Sequence, residues 1–290
     1  MGGLMRFKAY LFPVLKGLSV WILLVGMIVG IRRFCIESYH ISTEAMAEAL
    51  EPGDYILVNK LPVKENPGRN RIVLFTSPLL KDTLDAPLLI SRCVGMPGDT
   101  IGVSANGYSV NGRQVPRSPR TLSTYFIAQN VKEEFLQALH ALEIPERDRQ
   151  QQPYGVTLRL TTFEEYQLRE ELPQEVNLRF INEQADSYTL VVPRKDRAYR
   201  LDPVSLIACQ EAIRTETDGK AVFRDGKLYL DGRETTFFFF KQDYYWVLSD
   251  NTKDAVDSRH LGFIPADHII GNAFFCWYSP DKQRIFKSVN

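Results

Sequence analysis

Short hydrophobic runs separated by turn residues make up most of the chain outside its first forty residues and its middle. Runs rich in β-branched and aromatic residues occupy 55–58, 72–75 and 88–94, each with Gly, Pro or Asn nearby, which is typical of strands. The pairs Asn-Gly at 111–112 and Asp-Gly at 231–232 lie between β-prone segments. Both pairs predict tight hairpins, because these residues tolerate the positive φ of a type I′ turn. The pattern therefore predicts a mostly β protein.

The middle of the chain has helical periodicity instead. It predicts three helices, each opened by a capping residue. The capping residues are Asn130, Thr162 (the first residue of a Thr-x-x-Glu box) and Asp202 (followed by Pro203). The polar residues 146–152, between the first two helices, predict a loop. We interpret residues 115–220 as an α+β insertion in an otherwise β chain.

The N-terminal segment differs from the rest of the chain in its hydrophobicity. Residues 17–31 carry no charge, and Lys16 is the only charge in the longer stretch 9–31. About 20 apolar residues cross a bilayer, and a Lys near one end can extend its amine to the interface. A cleaved signal peptide needs small residues at the cleavage site, and the sequence RRFCIE that follows offers none. A buried core helix normally has a shorter apolar run. We therefore expect residues 1–34 to form an N-terminal tail and one uncleaved transmembrane helix. Basic residues on its two sides nearly balance, so charge alone leaves the orientation open.

Charge and cysteine content narrow the function classes. The chain has 290 residues, with 35 Lys and Arg against 35 Asp and Glu. A net charge of zero argues against a nucleic-acid binder, which normally carries a basic excess. The four cysteines are far apart and form no C-x-x-C pair, so neither a zinc site nor a disulfide-dense scaffold is expected. One long-range disulfide stays open at this point.

Three motifs carry a resemblance to a known family. They are ISTEAM at 41–46, SRCVGMPGD at 91–99, and SDNTKDAVDSR at 249–259, the last followed by GFIP at 262–265. In order and spacing they resemble the motifs of signal peptidase I, the membrane-anchored endopeptidase that removes signal peptides. The family patterns are I-P-S-x-S-M, then K-R-x-x-G-x-P-G-D, then G-D-N, S-x-D-S-R and G-F-V-P. The resemblance implies a signal-peptidase-type β domain built from residues 35–114 and 221–290, with the insertion between them.

The resemblance also implies a Ser nucleophile and a Lys general base. A Ser hydroxyl needs a neighbouring base to become a nucleophile, and a Lys serves as that base only when burial lowers its pKa. Carried over to this chain, the nucleophile position is Ala45 and the base position is Ser91, and neither side chain can do this chemistry. The oxyanion position is Thr43, which keeps a hydroxyl. Other positions also depart from the family pattern: Thr43 itself replaces a Ser, Ser42 replaces a Pro, Ser249 replaces a Gly and Ala255 replaces a Ser.

The positions that support the family's site are retained. They are Met46, Arg92, Asp250, Asn251, Asp257, Ser258 and Arg259. Loss of the nucleophile alone would fit an engineered trap. Loss of the base as well, with two further substitutions beside it, favours a natural inactive relative. The remaining alternative is an active enzyme with relocated groups, for which His40 would be the base and Ser258 a hydroxyl donor.

These observations lead to one functional hypothesis and two alternatives. We expect a catalytically inactive, signal peptidase I-like membrane protein that binds membrane-emerging peptides or a membrane partner. The alternatives are an active signal peptidase I with relocated residues and a structural subunit of a secretion or processing complex. The expected partners are signal peptides or exported preproteins, the lipid bilayer, and an active signal peptidase or a secretion component; no nucleic acid, metal or cofactor is expected. The resemblance implies a single-pass protein of the cell membrane with its main domain on the outer face. The aromatic run 237–240 fits either core packing or contact with the bilayer.

Overall fold

The structure is a computed structural model. It describes residues 18, 21–47, 49–61, 66–79, 87–104, 107–115, 119–178, 180–182, 187–251 and 255–289. Its strands are, in chain order, β1 (Ile36–His40), β2 (Tyr55–Asn59), β3 (Ile72–Thr76), β4 (Leu88–Gly95), β5 (Thr100–Ser104), β6 (Gly107–Val110), β7 (Arg113–Val115), β8 (Leu122–Ala128), β9 (Arg147–Gln152), β10 (Gly155–Thr161), β11 (Phe180–Asn182), β12 (Tyr188–Val191), β13 (Ala198–Arg200), β14 (Val222–Arg224), β15 (Lys227–Leu230), β16 (Arg233–Thr235), β17 (Phe237–Phe239), β18 (Tyr244–Leu248), β19 (Ile264–Pro265), β20 (Ile269–Tyr278) and β21 (Lys287–Ser288). Its helices are α1 (21–34), α2 (Lys132–Ala141), α3 (Thr162–Glu171), α4 (Gln174–Leu178), α5 (Pro203–Glu216) and α6 (Ser258–Leu261). The mostly β architecture expected from the sequence is confirmed.

The main sheet brings the motif-bearing segments together. Its strand order is β1-β2-β20-β3-β4-β18-β19, with β21 paired to β20, and its pairs are antiparallel. Strand β4 carries the second motif, and its neighbour β18 leads directly into the third. Side chains that are about 160 residues apart in the chain therefore become neighbours.

Two predicted hairpins form where the turn residues indicated them. Asn111 and Gly112 join β6 to β7 with φ of 52° and 76°. Asp231 and Gly232 join β15 to β16 with φ of 48° and 77°. Positive φ at both central residues is the requirement of a type I′ turn, so local sequence decides these connections.

Residues 119–182 build a sheet of their own, with strand order β11-β8-β10-β9. We call it the insertion sheet. Helices α2 and α3 pack on it, and their buried side chains Phe135, Leu139 and Leu168 belong to the same hydrophobic cluster as β8 and β10. The segment that follows, by contrast, begins with β12, which pairs with β5 in the sheet β12-β5-β6-β7.

Three local predictions in the insertion are wrong in detail. Asn130 was expected to cap the first helix, but it lies in a 3₁₀ turn, Gln129–Val131, and the residue at the cap position of α2 is Val131, which makes no side-chain cap hydrogen bond. The polar residues 146–152 were expected to form a loop, but Arg147–Gln152 form β9, the edge strand of the insertion sheet. An edge strand can keep polar side chains in solvent on both faces, because its stability comes from pairing with β10. The capping residue of α3 is Thr161 rather than Thr162, and it forms a reciprocal capping box with Glu164. The third helix does begin with Asp202 as its cap and Pro203 in its first turn.

The N-terminal helix α1 exposes apolar side chains along its length. Trp21, Leu23 and Met27 are 68%, 72% and 64% exposed. Within the part of the chain that the structure describes, no helix is both long enough and apolar enough to cross a membrane. Residues 9–17 and 19–20 of the expected anchor lie outside the described residues.

The structure shows which side chains of the aromatic run 237–240 pack in the core. Phe238 and Phe240 are buried, whereas Phe237 and Phe239 are exposed, as alternation along a strand requires. Half of the run is therefore core.

The four cysteines are free thiols, so the long-range disulfide that the sequence left open does not form.

Candidate functional site

The first motif forms a tight turn after β1 that holds Ala45 against the core. Hydrogen bonds close it at both ends, from the Ile41 amide to the Asp54 carbonyl at 2.8 Å and from the Ala47 amide to the Glu44 carbonyl at 2.9 Å. Met46 is fully buried and Ala45 is 8% exposed. Thr43, the expected oxyanion residue, lies on the exposed side of the turn. We call residues 43–46 the Ala45 loop.

The base position lies in the middle of the main sheet. Ser91 on β4 is fully buried. The pairing of Leu248 with Arg92 brings Ser249, the residue after β18, opposite Ser91. The two hydroxyl oxygens lie 2.9 Å apart, so each side chain satisfies the other.

A buried ion pair lies next to these hydroxyls. Arg92 binds Asp250 through two hydrogen bonds, Nε to Oδ1 at 3.0 Å and Nη2 to Oδ2 at 2.5 Å. A third goes from Arg92 Nη1 to the Asn70 carbonyl at 3.0 Å. Burial lowers the pKa of Arg92, but the hydrogen bonds and charge of Asp250 outweigh it, and the net pKa is raised. The guanidinium therefore stays charged, and it cannot act as a base.

Asn251 fastens the third motif to the Ala45 loop. Its backbone amide donates to the Ala45 carbonyl at 3.0 Å, and its side-chain Nδ2 donates to the Glu44 carbonyl at 3.0 Å. Both contacts hold the backbone on either side of the nucleophile position. The loop geometry is thus set from the end of β18.

Asp257 organises the last part of the third motif. Its carboxylate accepts from the Ser249 amide at 2.8 Å and caps α6. Arg259 binds the same carboxylate through Nε at 2.9 Å and Nη2 at 2.7 Å. The Ser258 hydroxyl accepts from the Val247 amide at 2.9 Å, and this side chain is buried. These contacts hold the segment that carries Ser249 in place.

Four of the positions that depart from the family pattern lie in two different environments. Ala45 and Ala255 belong to one hydrophobic cluster, in which both are buried. Ser91 and Ser249 are hydrogen-bonded to each other. The two alanines therefore lie in apolar surroundings, and the two hydroxyls bind each other.

One family model matches most of the chain. Residues 14–278 match the family model described as signal peptidase, peptidase S26. The chain belongs to this family. The matched span runs across the insertion, which the three motifs alone do not cover.

Several members of the signal peptidase family resemble this chain over most of its length. It is 25% identical to the signal peptidase I of Aquifex aeolicus over 258 residues, covering 89% of this chain and 81% of that protein. It is 23% identical to the signal peptidase I of Buchnera aphidicola subsp. Baizongia pistaciae over 280 residues, covering 88% and 73%. A third match, 30% identical to the signal peptidase I of Leptolyngbya laminosa, covers 35% of this chain and about half, 52%, of that protein.

The structure gives the surroundings of Ser91, the expected base position, and of the residues considered as replacements. The hydroxyl group that Ser91 contacts is that of Ser249, and a hydroxyl does not accept a proton near neutral pH. His40, considered as a relocated base, lies at the end of β1, where its ring packs on Tyr55 with centroids 4.8 Å apart. Ser258, considered as a relocated hydroxyl, holds the Val247 amide.

One residue of the site was missed from the sequence. Arg159 lies on β10 of the insertion sheet, yet its guanidinium donates to Asn251 Oδ1. The alternating pattern of β10 gives no sign of this contact, because it depends on how the insertion sheet docks on the main sheet. A buried Arg in a strand is the only local signal, and it does not identify a partner.

Proposed function

We propose that this chain is a non-catalytic member of the signal peptidase family that binds peptides emerging at a membrane. The observation that carries the proposal is the pairing of Ser91 with Ser249 at 2.9 Å, which places a second hydroxyl beside the base position. Together with Ala45 at the nucleophile position, it leaves this site without either group of the dyad.

Peptide binding is supported by what surrounds the substituted positions. Strands β1 and β19 are the outer strands of the main sheet, and a sheet edge can accept an extended peptide as an additional strand. Ser42, Thr43 and Glu44 form an exposed surface next to Ala45. None of these features depends on a nucleophile, so recognition of signal peptides or exported preproteins can persist without cleavage.

Membrane attachment belongs to the same proposal. The apolar stretch 9–31 would anchor the chain as a single helix, with the β domain on the outer face. The exposed apolar side chains of α1 support it, since such a surface is unfavourable in water. Full-length protein should sediment with membranes and resist carbonate extraction. Recovery in the soluble fraction would contradict the anchor, and protection of the β domain from protease added outside would contradict the orientation.

A binding and cleavage assay tests the central claim. Detergent-solubilised full-length chain is mixed with a fluorescent signal peptide, and polarisation and product formation are followed, with a scrambled peptide as control. We expect binding of the signal peptide and no cleavage above background. Cleavage that is lost in His40→Ala or Ser258→Ala would instead identify a relocated active site. Absence of peptide binding, with an active signal peptidase or a secretion component recovered from solubilised membranes, would identify a structural subunit.

A further inference from the structure

Arg159 is a buried cation that lies in the insertion sheet but contacts the candidate site. The residue is 5% exposed. Its Nη2 donates to Asn251 Oδ1, and its Nη1 binds Asp148 Oδ2 at 2.9 Å. A buried guanidinium is stable only when its charge and donors are satisfied. Through Nη1 and Nη2, Arg159 joins a strand of the insertion to the third motif.

A local irregularity of the insertion sheet places the acidic partner. The β9–β10 register shifts between Thr157 and Arg159, and Asp148 on β9 has a φ of 50°. Bulges of this kind redirect side chains. The carboxylate of Asp148 is thereby held at one side of the guanidinium, and the other side is directed toward Asn251.

The carboxamide of Asn251 transmits this contact to the Ala45 loop. Its oxygen accepts from Arg159, while its nitrogen donates to the Glu44 carbonyl at 3.0 Å. Because a carboxamide is planar, its oxygen and nitrogen move together. A displacement of the insertion therefore changes the hydrogen bond that holds the loop. The backbone of Asn251 gives a second tie, to the Ala45 carbonyl.

A second contact keeps the insertion in register with the same segment. The Leu122 amide, at the start of β8, donates to the Asp250 carbonyl at 2.9 Å. Leu122 also forms an isolated parallel bridge with Asn251. The insertion sheet thus contacts both Asp250 and Asn251 of the third motif, and Arg159 supplies the charged contact.

We propose that Arg159 is a positioning residue, through which the insertion sheet sets the geometry of the Ala45 loop by way of Asn251. In consequence, a displacement of the insertion alters the surface next to Ala45. The coupling itself stands on the contacts above; only its consequence for peptide affinity rests on the proposed function.

Hydrogen exchange of the full-length chain in detergent tests the coupling. The reporters are the amides of Ala47, bound to the Glu44 carbonyl, and of residue 251, bound to the Ala45 carbonyl. Arg159→Gln should speed their exchange by about ten- to a hundredfold, the loss expected for one charge-assisted hydrogen bond. Arg147→Gln is the matched control, because Arg147 is also an insertion Arg but binds Glu164 within the insertion. It should leave both reporters unchanged.

Repeating the exchange measurement in the Asn251→Ala chain distinguishes positioning of the loop from general support of the fold. In Asn251→Ala the loop has already lost the side-chain contact, so adding Arg159→Gln should produce no further acceleration at Ala47. Equal acceleration in both backgrounds, or none in Arg159→Gln alone, overturns the proposal. Signal-peptide polarisation is measured on the same samples. If the unmodified chain binds no peptide while the exchange result holds, the peptide-binding function fails and the coupling survives.

Discussion

The candidate site has two regions, one built on buried ion pairs and one on four small neutral side chains. The charged region contains Arg92 with Asp250 and Arg259 with Asp257, and it keeps the family residues. The neutral region contains the two hydroxyls and the two alanines, and none of its members is the family residue. The two regions adjoin each other, since Ser91 and Arg92 are consecutive on β4 and Ser249 and Asp250 follow β18. Position in the fold therefore does not explain why the two regions differ.

The difference follows from what each kind of residue costs to replace. Removing one member of a buried ion pair leaves a charge without its partner and costs about 3–5 kcal/mol. Replacing both members of a dyad by small neutral residues that satisfy each other costs far less. The charged residues are therefore required by the fold whether or not the protein is a peptidase. Their presence in the motifs fits the family, and under the proposed function it is the neutral positions that bear on activity.

Rebuilding the dyad gives the largest expected effect. Ala45→Ser with Ser91→Lys should give no cleavage of a signal-peptide substrate, because a Lys at 91 would meet Ser249, whose Oγ lies 2.9 Å from that of Ser91. Adding Ser249→Gly removes the side chain that a Lys at position 91 would meet. Adding Ala255→Ser restores the family serine at that position. Since a dyad acts as a unit worth several powers of ten in rate, the fourfold variant should exceed the double by about a thousandfold or more.

The assay for this prediction is single-turnover cleavage followed by mass spectrometry. The matched control carries the other three substitutions but keeps Ala at position 45, and it should show no cleavage. Equal activity in the double and fourfold variants would show that Ser249 does not block the base position.

Breaking the charged region should produce the next largest effect. Arg92→Met leaves Asp250 buried without its partner, and we expect a loss of about 3–5 kcal/mol in the free energy of unfolding. Urea denaturation measures it. Arg92→Met with Asp250→Leu should lose less than Arg92→Met alone, because no charge is left uncompensated.

Lys227→Gln serves as the control for this measurement. Its ion pair with Glu234 is on the surface, and such pairs contribute little. If Lys227→Gln and Arg92→Met were equally destabilising, the contrast between buried and exposed pairs would be wrong for this protein.

Breaking the contact between the Ser91 and Ser249 hydroxyls should reduce the free energy of unfolding by a smaller amount. Ser249→Ala leaves the buried Ser91 hydroxyl without the partner described here, at a cost of about 1–3 kcal/mol. Ser91→Ala with Ser249→Ala should be close to the unmodified chain. A double-mutant cycle on urea midpoints gives the coupling; additive losses would contradict a direct interaction between the two hydroxyls.

The alanine pair should give the smallest effect. Ala255→Ser places a hydroxyl in the apolar cluster that holds Ala45 and should cost about 1 kcal/mol. Thermal unfolding measures it, with Ser42→Ala on the exposed turn as a control that should have no effect. A stabilising Ala255→Ser would show that the cluster contains a polar partner for the new hydroxyl.

Local features of the fold could be predicted from the sequence where the deciding interactions are themselves local. The turn at 111–112 forms because Asn and Gly accept positive φ, and α5 begins at Pro203 because Asp202 caps it. The cap of α3 was misplaced by one residue, since Thr161 and Thr162 are both competent and only the docking of β10 selects the first. Strand β9 was missed because its polar sequence carries no pattern, and its pairing with β10 alone makes it a strand.

The sequence by itself determined the family and the mostly β class, because each can be read from the identity or spacing of nearby residues. Only the tertiary structure decided that Ser249 lies against Ser91, 158 residues away, and that Arg159 reaches Asn251, 92 residues away. These contacts depend on strand register and on how two sheets dock. Both are fixed by the packing of the whole chain, which no local pattern encodes.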